Sequence, residues 1–315
     1  MKKSYRLSIV VPMFNEAAVL ESFFSRVCEI VSDLTSDYEV ICINDGSADD
    51  SLAKLKEFNR VNPKIKIVSF SRNFGKEAAL MAGLEHASGD AVIPIDADLQ
   101  DPPELIPKLV SKWEEGFDMV LAVRAQRDSD TLLKRTTANM FYRIAKHLSD
   151  TPIPANAGDF RLLDRRVVDA LKDLPERNRF TKGIFGWLGF KQAEITYVRP
   201  DRVAGSSKWR YWRLWNYALD GIFSFSTLPL RIWAYIGGII SAVALLYMMY
   251  IILRTLVLGV DVPGYASLLV VMLFFSGLNM IGLGIMGEYL GRVFIEVKQR
   301  PLYLVDESIG LHDDK

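Results

Sequence analysis

AVIPIDADLQDPPE, residues 91–104, combines an apolar run, a pair of carboxylates and a helix start. The apolar run that opens the stretch is typical of a buried strand. Asp96 and Asp98 follow at once, and strand alternation would send both side chains to the same side beyond the strand's end. Two hard oxygen ligands at the mouth of a sheet suit Mg²⁺ or Mn²⁺ when a substrate diphosphate supplies the other ligands. Asp101 and the two prolines after it predict a capped helix start, so aspartates that only cap this turn are the alternative.

Apolar, β-branched runs alternate with helical patterns over the first 123 residues. Strands are predicted at residues 7–13, 38–43, 65–70, 90–95 and 119–123, and helices at residues 17–34, 50–59, 77–86 and 104–115. This alternation predicts an α/β, Rossmann-like and mostly parallel sheet with helices on both faces. Ligands of such sheets bind beyond the carboxyl ends of the strands. We therefore expect one crevice to be lined by the polar residues that follow the strands, namely Asn15, Glu16, Asp45, Asp96 and Asp98.

Beyond residue 123 the pattern is less regular. Residues 201–208, DRVAGSSK, form a polar loop that contains glycine, which is typical of a flexible connection. Turn-forming residues are frequent in the segment before the next predicted helix. The predictions for this part are a helix at residues 132–148, turns at 152–160, a helix at 165–174 and a short strand at 195–198.

The composition argues against one class of function. The chain has 38 Lys plus Arg and 38 Asp plus Glu, so it lacks the basic field expected of a nucleic-acid-binding protein. Hydrophobic residues make up 50% of the chain, and the excess is concentrated in the last third. Cys28 and Cys42 lie in a predicted helix and a predicted strand. This placement favours reduced core residues of a cytosolic domain over a disulfide or a metal pair.

The last third of the sequence predicts a membrane-associated region. Aromatic residues and cations crowd together at residues 208–217, a mixture typical of a helix that lies in a membrane interface. Residues 232–253 and 265–286 are two segments of 22 residues, each without a charged side chain. Each is long enough to cross a hydrocarbon core of roughly 30 Å, and a buried core helix is the alternative. The short connection ends in Pro263-Gly264, so the two spans are expected to form a hairpin.

Positive charges around these segments predict their orientation. Four Lys or Arg residues lie at residues 208–231, before the first segment, and three more follow the second at residues 292–300. The connecting loop carries only Arg254. The positive-inside rule therefore places both ends of the hairpin in the cytosol.

Four motifs, in their order along the chain, resemble those of the family 2 glycosyltransferases. They are VPMFNE at residues 11–16, NDGS at 44–47, RNFGK at 72–76 and DADLQDPPE at 96–104. Within that family the chain is similar to the polyprenyl-phosphate glycosyltransferases, which include dolichol-phosphate mannose synthase and the bactoprenol glucosyltransferases. The resemblance covers nearly the whole chain, including its Gly-Ser-Ser-Lys loop. The Gln-x-x-Arg-Trp motif of the processive synthases is absent from the sequence, which argues against a polysaccharide polymerase.

The resemblance implies a GT-A fold and a donor site. Roles in holding the nucleotide sugar are implied for Pro12, Asn15, Glu16, Asp45 and Lys76. Asp96 and Asp98 would hold the donor diphosphate together with the expected cofactor, Mg²⁺ or Mn²⁺.

The resemblance also implies an acceptor side of the same site. Asp159, in the stretch GDFR, corresponds to an acidic residue that the family places near the acceptor. Removal of a proton, orientation of the acceptor and simple stabilisation of a turn all stay open for this carboxylate. Phosphate-binding roles are implied for Gln100, Arg124, Arg135, Arg202 and Lys208, of which Lys208 is also a candidate catalytic residue. For the single arginines, solvated surface charge is the alternative.

The implied activity is the inverting transfer of a sugar from a nucleotide sugar to a polyprenyl phosphate. UDP-glucose and undecaprenyl phosphate are the expected pair, and a bacterial inner membrane is the expected location, where the product would serve cell-envelope glycosylation. Transfer of mannose or of a modified sugar is the alternative among enzymes. A catalytically inactive membrane scaffold is the alternative outside them. A homo-oligomer is compatible with the sequence.

The chain is thereby expected to divide into four parts. A glycosyltransferase domain at residues 1–207 is followed by juxtamembrane amphipathic helices at 208–230. Two transmembrane helices lie at residues 231–287, and a cytosolic tail follows at 288–315.

Overall fold

The protein is described from a computed structural model, which describes residues 5–124, 157–174, 176, 181–197, 228–258 and 264–311. Its strands are β1 (Leu7–Met13), β2 (Tyr38–Asn44), β3 (Ile65–Phe70), β4 (Ala91–Pro94), β5 (Met119–Arg124), β6 (Ala157–Asp164), β7 (Gln192–Tyr197) and β8 (Val305–Ile309). Its helices are α1 (Leu20–Leu34), α2 (Ser51–Val61), α3 (Lys76–His86), α4 (Ile106–Glu114), α5 (Arg165–Lys172), α6 (Thr181–Trp187), α7 (Leu228–Leu258) and α8 (Tyr265–Lys298). A 3₁₀ turn, Pro103–Leu105, precedes α4.

One mixed sheet joins these strands in the order β7-β5-β6-β4-β1-β2-β3-β8. Strand β1 pairs in parallel with β2 and β4, β2 with β3, and β5 with β7. Strand β6 is antiparallel to β4 and β5, and β8 is antiparallel to β3. The predicted parallel sheet is therefore confirmed for its centre, and two antiparallel strands make the whole sheet mixed.

Both faces of the sheet are covered by helices because its central strands are apolar on both sides. Every residue of β1 and β2 is buried. Helices α1 and α4 cover one face, where Phe23 is fully buried, and α3 and α5 cover the other, where Leu84 is buried. Gly83 of α3 lies so close to β1 that a Cβ atom there would come within 2.1 Å of Val10 Cγ1. A side chain at position 83 would push α3 off the sheet.

Strand β6 begins within residues 152–160, for which the sequence pattern predicts turns. It carries Asp159 and Arg161 between apolar residues, so it lacks the uninterrupted apolar run of the central strands. Its pairing between β4 and β5 nevertheless buries Phe160, Leu162 and Arg161. The guanidinium of Arg161 packs over the ring of Phe185, 4.0 Å from its centroid. Tertiary packing, rather than a local apolar pattern, explains this strand.

The chain returns to the sheet after α8. Strand β8 pairs with β3, with Ile309 opposite Ile67 and Val305 opposite Phe70. The segment predicted as a tail at residues 288–315 thus contains the last turns of α8 and an edge strand of the sheet. Its sequence, VDESI, is mostly polar, as is common for a strand with one unpaired edge.

Helices α7 and α8 are 31 and 34 residues long and contain the segments predicted as spans, residues 232–253 and 265–286. They approach each other closely, since a Cβ atom on Gly282 would come within 2.1 Å of the Trp233 indole nitrogen. Many of their apolar side chains are exposed, among them Leu246 and Phe274. No helix in the described part of the chain qualifies as a membrane span when length and hydropathy are judged together.

Candidate active site

Four loops meet at the carboxyl ends of β1, β2, β3 and β4. Strand β1 has β2 on one side and β4 on the other, so the order of strands along the sheet reverses there. Such a reversal opens a crevice between the loops, which is where ligands bind in open α/β sheets. These connections place the polar residues predicted after the strands at one edge of the sheet.

The loop after β1 is fastened to the loop after β2 by Asn15. Its backbone N–H donates to Ser47 Oγ (2.9 Å), and its side-chain oxygen accepts from the Ala48 N–H (2.8 Å). Asn15 has a left-handed φ of 57°, a conformation that asparagine adopts more readily than most residues. The Ser47 hydroxyl therefore holds Asn15 and does not cap the helix that follows. Asp49 instead accepts from the N–H of Ser51, the first residue of α2 (3.1 Å).

Pro12 and Glu16 lie on either side of Asn15 in the sequence. Pro12 is buried within β1 opposite Ile43, so it shapes the end of the strand. The Glu16 N–H donates to Ser51 Oγ (3.0 Å) and thereby ties the same loop to the start of α2. Helix α1 begins at Leu20, not at residue 17 as predicted, because this fastened turn occupies the intervening residues.

Asp45 orders the loop at residues 72–76. One carboxylate oxygen accepts from the Phe74 N–H (2.6 Å) and the other from the Gly75 N–H (2.9 Å). Burial raises the pKa of Asp45, and the two N–H groups act in the opposite direction. Gly46, with a φ of 63°, lies so close to this loop that a Cβ atom would come within 2.4 Å of the Arg72 carbonyl carbon. The two loops are therefore in backbone contact, and the nucleoside-binding role of Asp45 stays a prediction.

Lys76 joins two carboxylates from different strands. Its Nζ lies 2.7 Å from Asp96 Oδ2 and 2.8 Å from Asp159 Oδ2. Lys76 begins α3, Asp96 follows β4 and Asp159 lies on β6, so the cluster needs all three elements in place. Burial lowers the pKa of Lys76, but the two carboxylates outweigh it and leave the pKa above its ordinary range. The ammonium is therefore held charged, and it screens the two aspartates from each other.

Asp98 lies on the turn that follows Asp96. Its Oδ1 accepts from the Gln100 N–H (3.1 Å), and Leu99 between them has a left-handed φ of 55°. A left-handed leucine is strained, and such strain persists only where the surroundings fix the backbone. Here the buried side chains of Leu99 and Gln100 fix it. The Gln100 side chain is largely buried. Binding of the acceptor by Gln100, as predicted, would therefore require either a local movement or a contact with the small exposed part of the side chain.

Asp101 does not cap the helix start, which corrects the prediction from the sequence. Its buried carboxylate accepts from the hydroxyl of Tyr197 (2.6 Å), and the turn at Pro103–Leu105 has no side-chain cap. A buried tyrosine hydroxyl needs a hydrogen-bond partner, and this carboxylate supplies it. Tyr197 ends β7, so the bond ties the aspartate motif to the strand that leads into residues 198–208. Sequence reasoning missed Tyr197, because a single tyrosine at a strand end gives no signal.

The remaining predicted residues are placed in part. Arg124 ends β5, with its backbone in register with Tyr197. Arg135, Arg202 and Lys208 lie outside the described residues. The structure thus brings Asp159 together with Lys76 and Asp96, for which donor-binding roles stay a prediction.

The described side chains offer only part of a metal site. Among the described residues, no cluster of three or more His, Cys, Asp or Glu side chains could hold a metal. Asp96 and Asp98 nevertheless supply carboxylate oxygens of the type that Mg²⁺ prefers. Mg²⁺ commonly takes one or two protein carboxylates and completes its shell with substrate phosphates and water. The residues present therefore fit a metal that binds together with a diphosphate.

Comparison with known proteins places the chain in a family. The model of the family described as Glycosyl transferase family 2 matches residues 8–172. An uncharacterized glycosyltransferase of Synechocystis sp. is 56% identical over 305 residues, which cover 97% of this chain and 96% of the relative. The SfII prophage-derived bactoprenol glucosyl transferase of Shigella flexneri is 50% identical over 303 residues, covering 96% of this chain and 98% of that protein.

A solved structure also aligns with the chain. It is the mannosyltransferase PcManGT from Pyrobaculum calidifontis in complex with GDP-Man and Mn²⁺, 18% identical, with a TM-score of 0.47 over 94% of this chain and 87% of the mannosyltransferase. The family model spans more than half of the chain, and the two relatives match it nearly end to end. The chain therefore belongs to glycosyl transferase family 2 and is a glycosyltransferase with a GT-A-like mixed sheet.

Proposed function

We propose that the protein transfers glucose from UDP-glucose to a polyprenyl phosphate, with undecaprenyl phosphate as the acceptor in a bacterial inner membrane. The observation that carries this proposal is the 50% identity, over nearly the full length, to bactoprenol glucosyl transferases. The cluster of Lys76, Asp96 and Asp159 at the strand-order reversal supports an active site rather than an inactive scaffold. The product would be a lipid-linked sugar for glycosylation of the cell envelope.

The donor would bind where the loops after β1, β2 and β3 meet. Asn15 and Asp45 hold these loops together through backbone N–H groups, so they would shape the nucleoside pocket. Asp96 and Asp98 would hold a divalent cation, and this cation would neutralise the charge that develops on the departing diphosphate. Lys76, as a fixed positive charge beside Asp96, would help to place the donor's phosphates.

The acceptor phosphate would attack from the side of Asp159. The second ionisation of a phosphomonoester lies near pH ~6, so much of the acceptor is already dianionic at neutral pH. A phosphate oxygen then forms a bond to the anomeric carbon, the bond from that carbon to the donor's phosphate oxygen breaks, and the nucleoside diphosphate leaves. The configuration inverts because attack and departure take place on opposite faces of the sugar. Asp159 is engaged by an ammonium at 2.8 Å, which supports a role in orienting the acceptor over removal of a proton.

Helices α7 and α8 would anchor the catalytic domain in the membrane as a hairpin. The full sequence contains two uncharged segments of 22 residues, and both lie within these helices. Their exposed apolar side chains would face lipid. Both termini and the catalytic domain at residues 1–207 would then face the cytosol, with residues 208–230 lying at the interface. This arrangement would keep the crevice at the depth of the acceptor's phosphate.

A donor panel tests the proposal directly. The purified protein in detergent, with undecaprenyl phosphate and Mn²⁺, is given UDP-glucose, UDP-galactose, GDP-mannose and UDP-N-acetylglucosamine in turn. We expect glucose to be transferred most efficiently and Asp98→Asn to abolish the transfer. Asp169→Asn, which changes an exposed carboxylate on α5, serves as the matched control and should retain full activity. Preferred transfer of mannose would refute the proposed donor, and no transfer from any donor would support a scaffold.

A further inference from the structure

Residues 301–311, here called the C-terminal strap, lead from the long helix α8 directly to the donor side of the site. Helix α8 is closed by Gln299, whose φ of 46° is left-handed, and Tyr303 follows four residues later. The Leu304 carbonyl then accepts from the Ser71 N–H (3.0 Å). Ser71 is the residue that precedes the loop at residues 72–76. The strap is thus bonded to the chain immediately before this loop.

Three aromatic rings continue the contact from the strap into the loop. The ring of Tyr303 stacks on Phe70, with centroids 4.7 Å apart and planes inclined by 17°. Phe70 meets the edge of Phe74 at 5.7 Å and 89°. The guanidinium of Arg72 lies over the ring of Phe74, 4.2 Å from its centroid. Stacked and edge-to-face pairs of this kind favour defined ring positions, so Tyr303 constrains where Phe74 lies.

The position of Phe74 decides the geometry of the site. Its N–H and that of Gly75 donate to the two oxygens of Asp45. The next residue is Lys76, whose ammonium bridges Asp96 and Asp159. A shift of the Phe74 ring would therefore move the backbone that places Lys76.

The hydroxyl of Tyr303 contacts α3, the helix that begins at Lys76. It donates to the carboxylate of Glu85, in the last turn of α3. Burial, together with Glu85, raises the pKa of Tyr303, so the hydroxyl keeps its proton and stays a donor. Tyr303 thus touches α3 near its end and, through Phe70 and Phe74, the loop that starts this helix.

We propose that Tyr303 is a positioning residue for the donor side of the site. Through Phe70 and Phe74 it holds the loop at residues 72–76 against Asp45, so that Lys76 stays aligned with the two aspartates. Its role in transfer rests on the proposed function, whereas its role in ordering the loop does not. Because α8 ends five residues before Tyr303, the placement of the helical hairpin is coupled to the placement of this loop.

The test compares three variants of the full-length protein in detergent. Tyr303→Leu keeps an apolar side chain but removes the ring, and Tyr303→Phe keeps the ring but removes the hydroxyl. Glu307→Ala is the matched control, because Glu307 lies in the same C-terminal strap and loses an ion pair to Lys56 (2.6 Å) that does not involve the loop. Amide hydrogen exchange of the peptide covering Phe74 and Gly75 is measured first, and the kinetics with UDP-glucose and undecaprenyl phosphate follow.

We expect changes only in amide exchange of the loop at residues 72–76 and in the KM for the donor. Tyr303→Leu should speed exchange at the two amides and raise the KM for the donor by about threefold to tenfold, the range expected for loss of one aromatic pair. The KM for the acceptor should stay at the parent value. Tyr303→Phe should stay within about twofold of the parent, because the stack survives. Glu307→Ala should match the parent in exchange at this peptide.

Two results would overturn the proposal. One is parent-like exchange and donor KM in a folded Tyr303→Leu protein, and the other is an equal change in Glu307→Ala, which would indicate a general loosening of the edge strand. If Tyr303→Leu does not fold, Phe74→Leu removes the partner ring from the loop side and must give the same signature, or the proposal fails. A parent protein that transfers no sugar would reject the proposed function alone, since hydrogen exchange still decides whether Tyr303 orders the loop.

Discussion

Glu39, at the opposite end of the sheet from the crevice, is a buried carboxylate whose replacement by glutamine tests the electrostatics of the fold. Its side chain is only 1% exposed. It accepts hydrogen bonds from Ser8 Oγ (2.6 Å), from the N–H and hydroxyl of Ser88 (both 2.8 Å), and from Lys66 Nζ (2.6 Å). Glu39→Gln keeps the shape of the side chain and removes the charge that these donors surround.

The structure sets the size of the expected effect. Burial raises the pKa of Glu39, but the hydrogen bonds from Lys66, Ser8 and Ser88 outweigh it and lower the pKa from 4.5 to about 2. A shift of this size corresponds to at most about 3 kcal/mol of folding free energy at neutral pH. For a domain of this size, a loss of about 3 kcal/mol lowers the Tm by roughly 6–12 °C.

Thermal unfolding of parent and variant in detergent, followed by circular dichroism at several pH values, measures this loss. A carboxylate with a lowered pKa contributes stability that is present above pH 4.5 and is lost as the pH falls toward about 2. The difference in Tm between parent and Glu39→Gln should therefore be largest near neutral pH and shrink below pH 4.5. Asp169→Asn, at an exposed carboxylate, should show no comparable difference.

A Glu39→Gln protein that unfolds with the parent at neutral pH would falsify the argument from the hydrogen bonds. A difference in Tm that stays constant down to the lowest pH would do the same, because it would point to packing and not to charge. Transfer activity per folded molecule should equal that of the parent, because Glu39 is the second residue of β2 and only the other end of this strand reaches the crevice.

Three further results are expected. A chelator should abolish transfer, and Mn²⁺ or Mg²⁺ should restore it. Asp98→Ala should stay inactive when metal is added. Full activity of Asp98→Ala in excess chelator would exclude a metal role. In detergent, Lys208→Ala should lose on the order of 10²-fold in kcat with partial rescue by Lys208→Arg, and turnover within a few-fold of the parent would assign this lysine to membrane attraction. In intact cells, a cysteine placed at Val260 should react with an impermeant reagent and one placed at Ser308 should not, and the reverse pattern would reject the proposed topology.

The central strands could be predicted from the sequence because their signal is local. The run that precedes Asp96 has the apolar pattern of a strand buried on both faces, and β1 and β2 are each followed by a polar turn. Since parallel strands share one carboxyl edge, the meeting of Asn15, Asp45 and Asp96 followed from topology. The residues that surround the crevice were predictable to this extent without knowledge of any contact.

Other features depend on partners that are distant in the chain, so no local pattern predicts them. Strand β6 carries a buried arginine because Phe185 covers it, and β8 is polar because it lies at an edge. Asp101 looked like a helix cap, since an aspartate before two prolines satisfies the local rule. Its partner is Tyr197, 96 residues away, and a buried hydroxyl decided the outcome.

Strand β8 also bears on how the protein is made. Its partner β3 ends at Phe70, whereas β8 begins at Val305, so translation of both long helices separates the two. Until residues 305–309 leave the ribosome, the outer edge of β3 lacks this partner, and an unpaired edge is a template for association with other chains. Completion of the catalytic sheet therefore waits for completion of the helical hairpin. A nascent chain that stops short of β8 would leave this edge of β3 open to pairing with other chains.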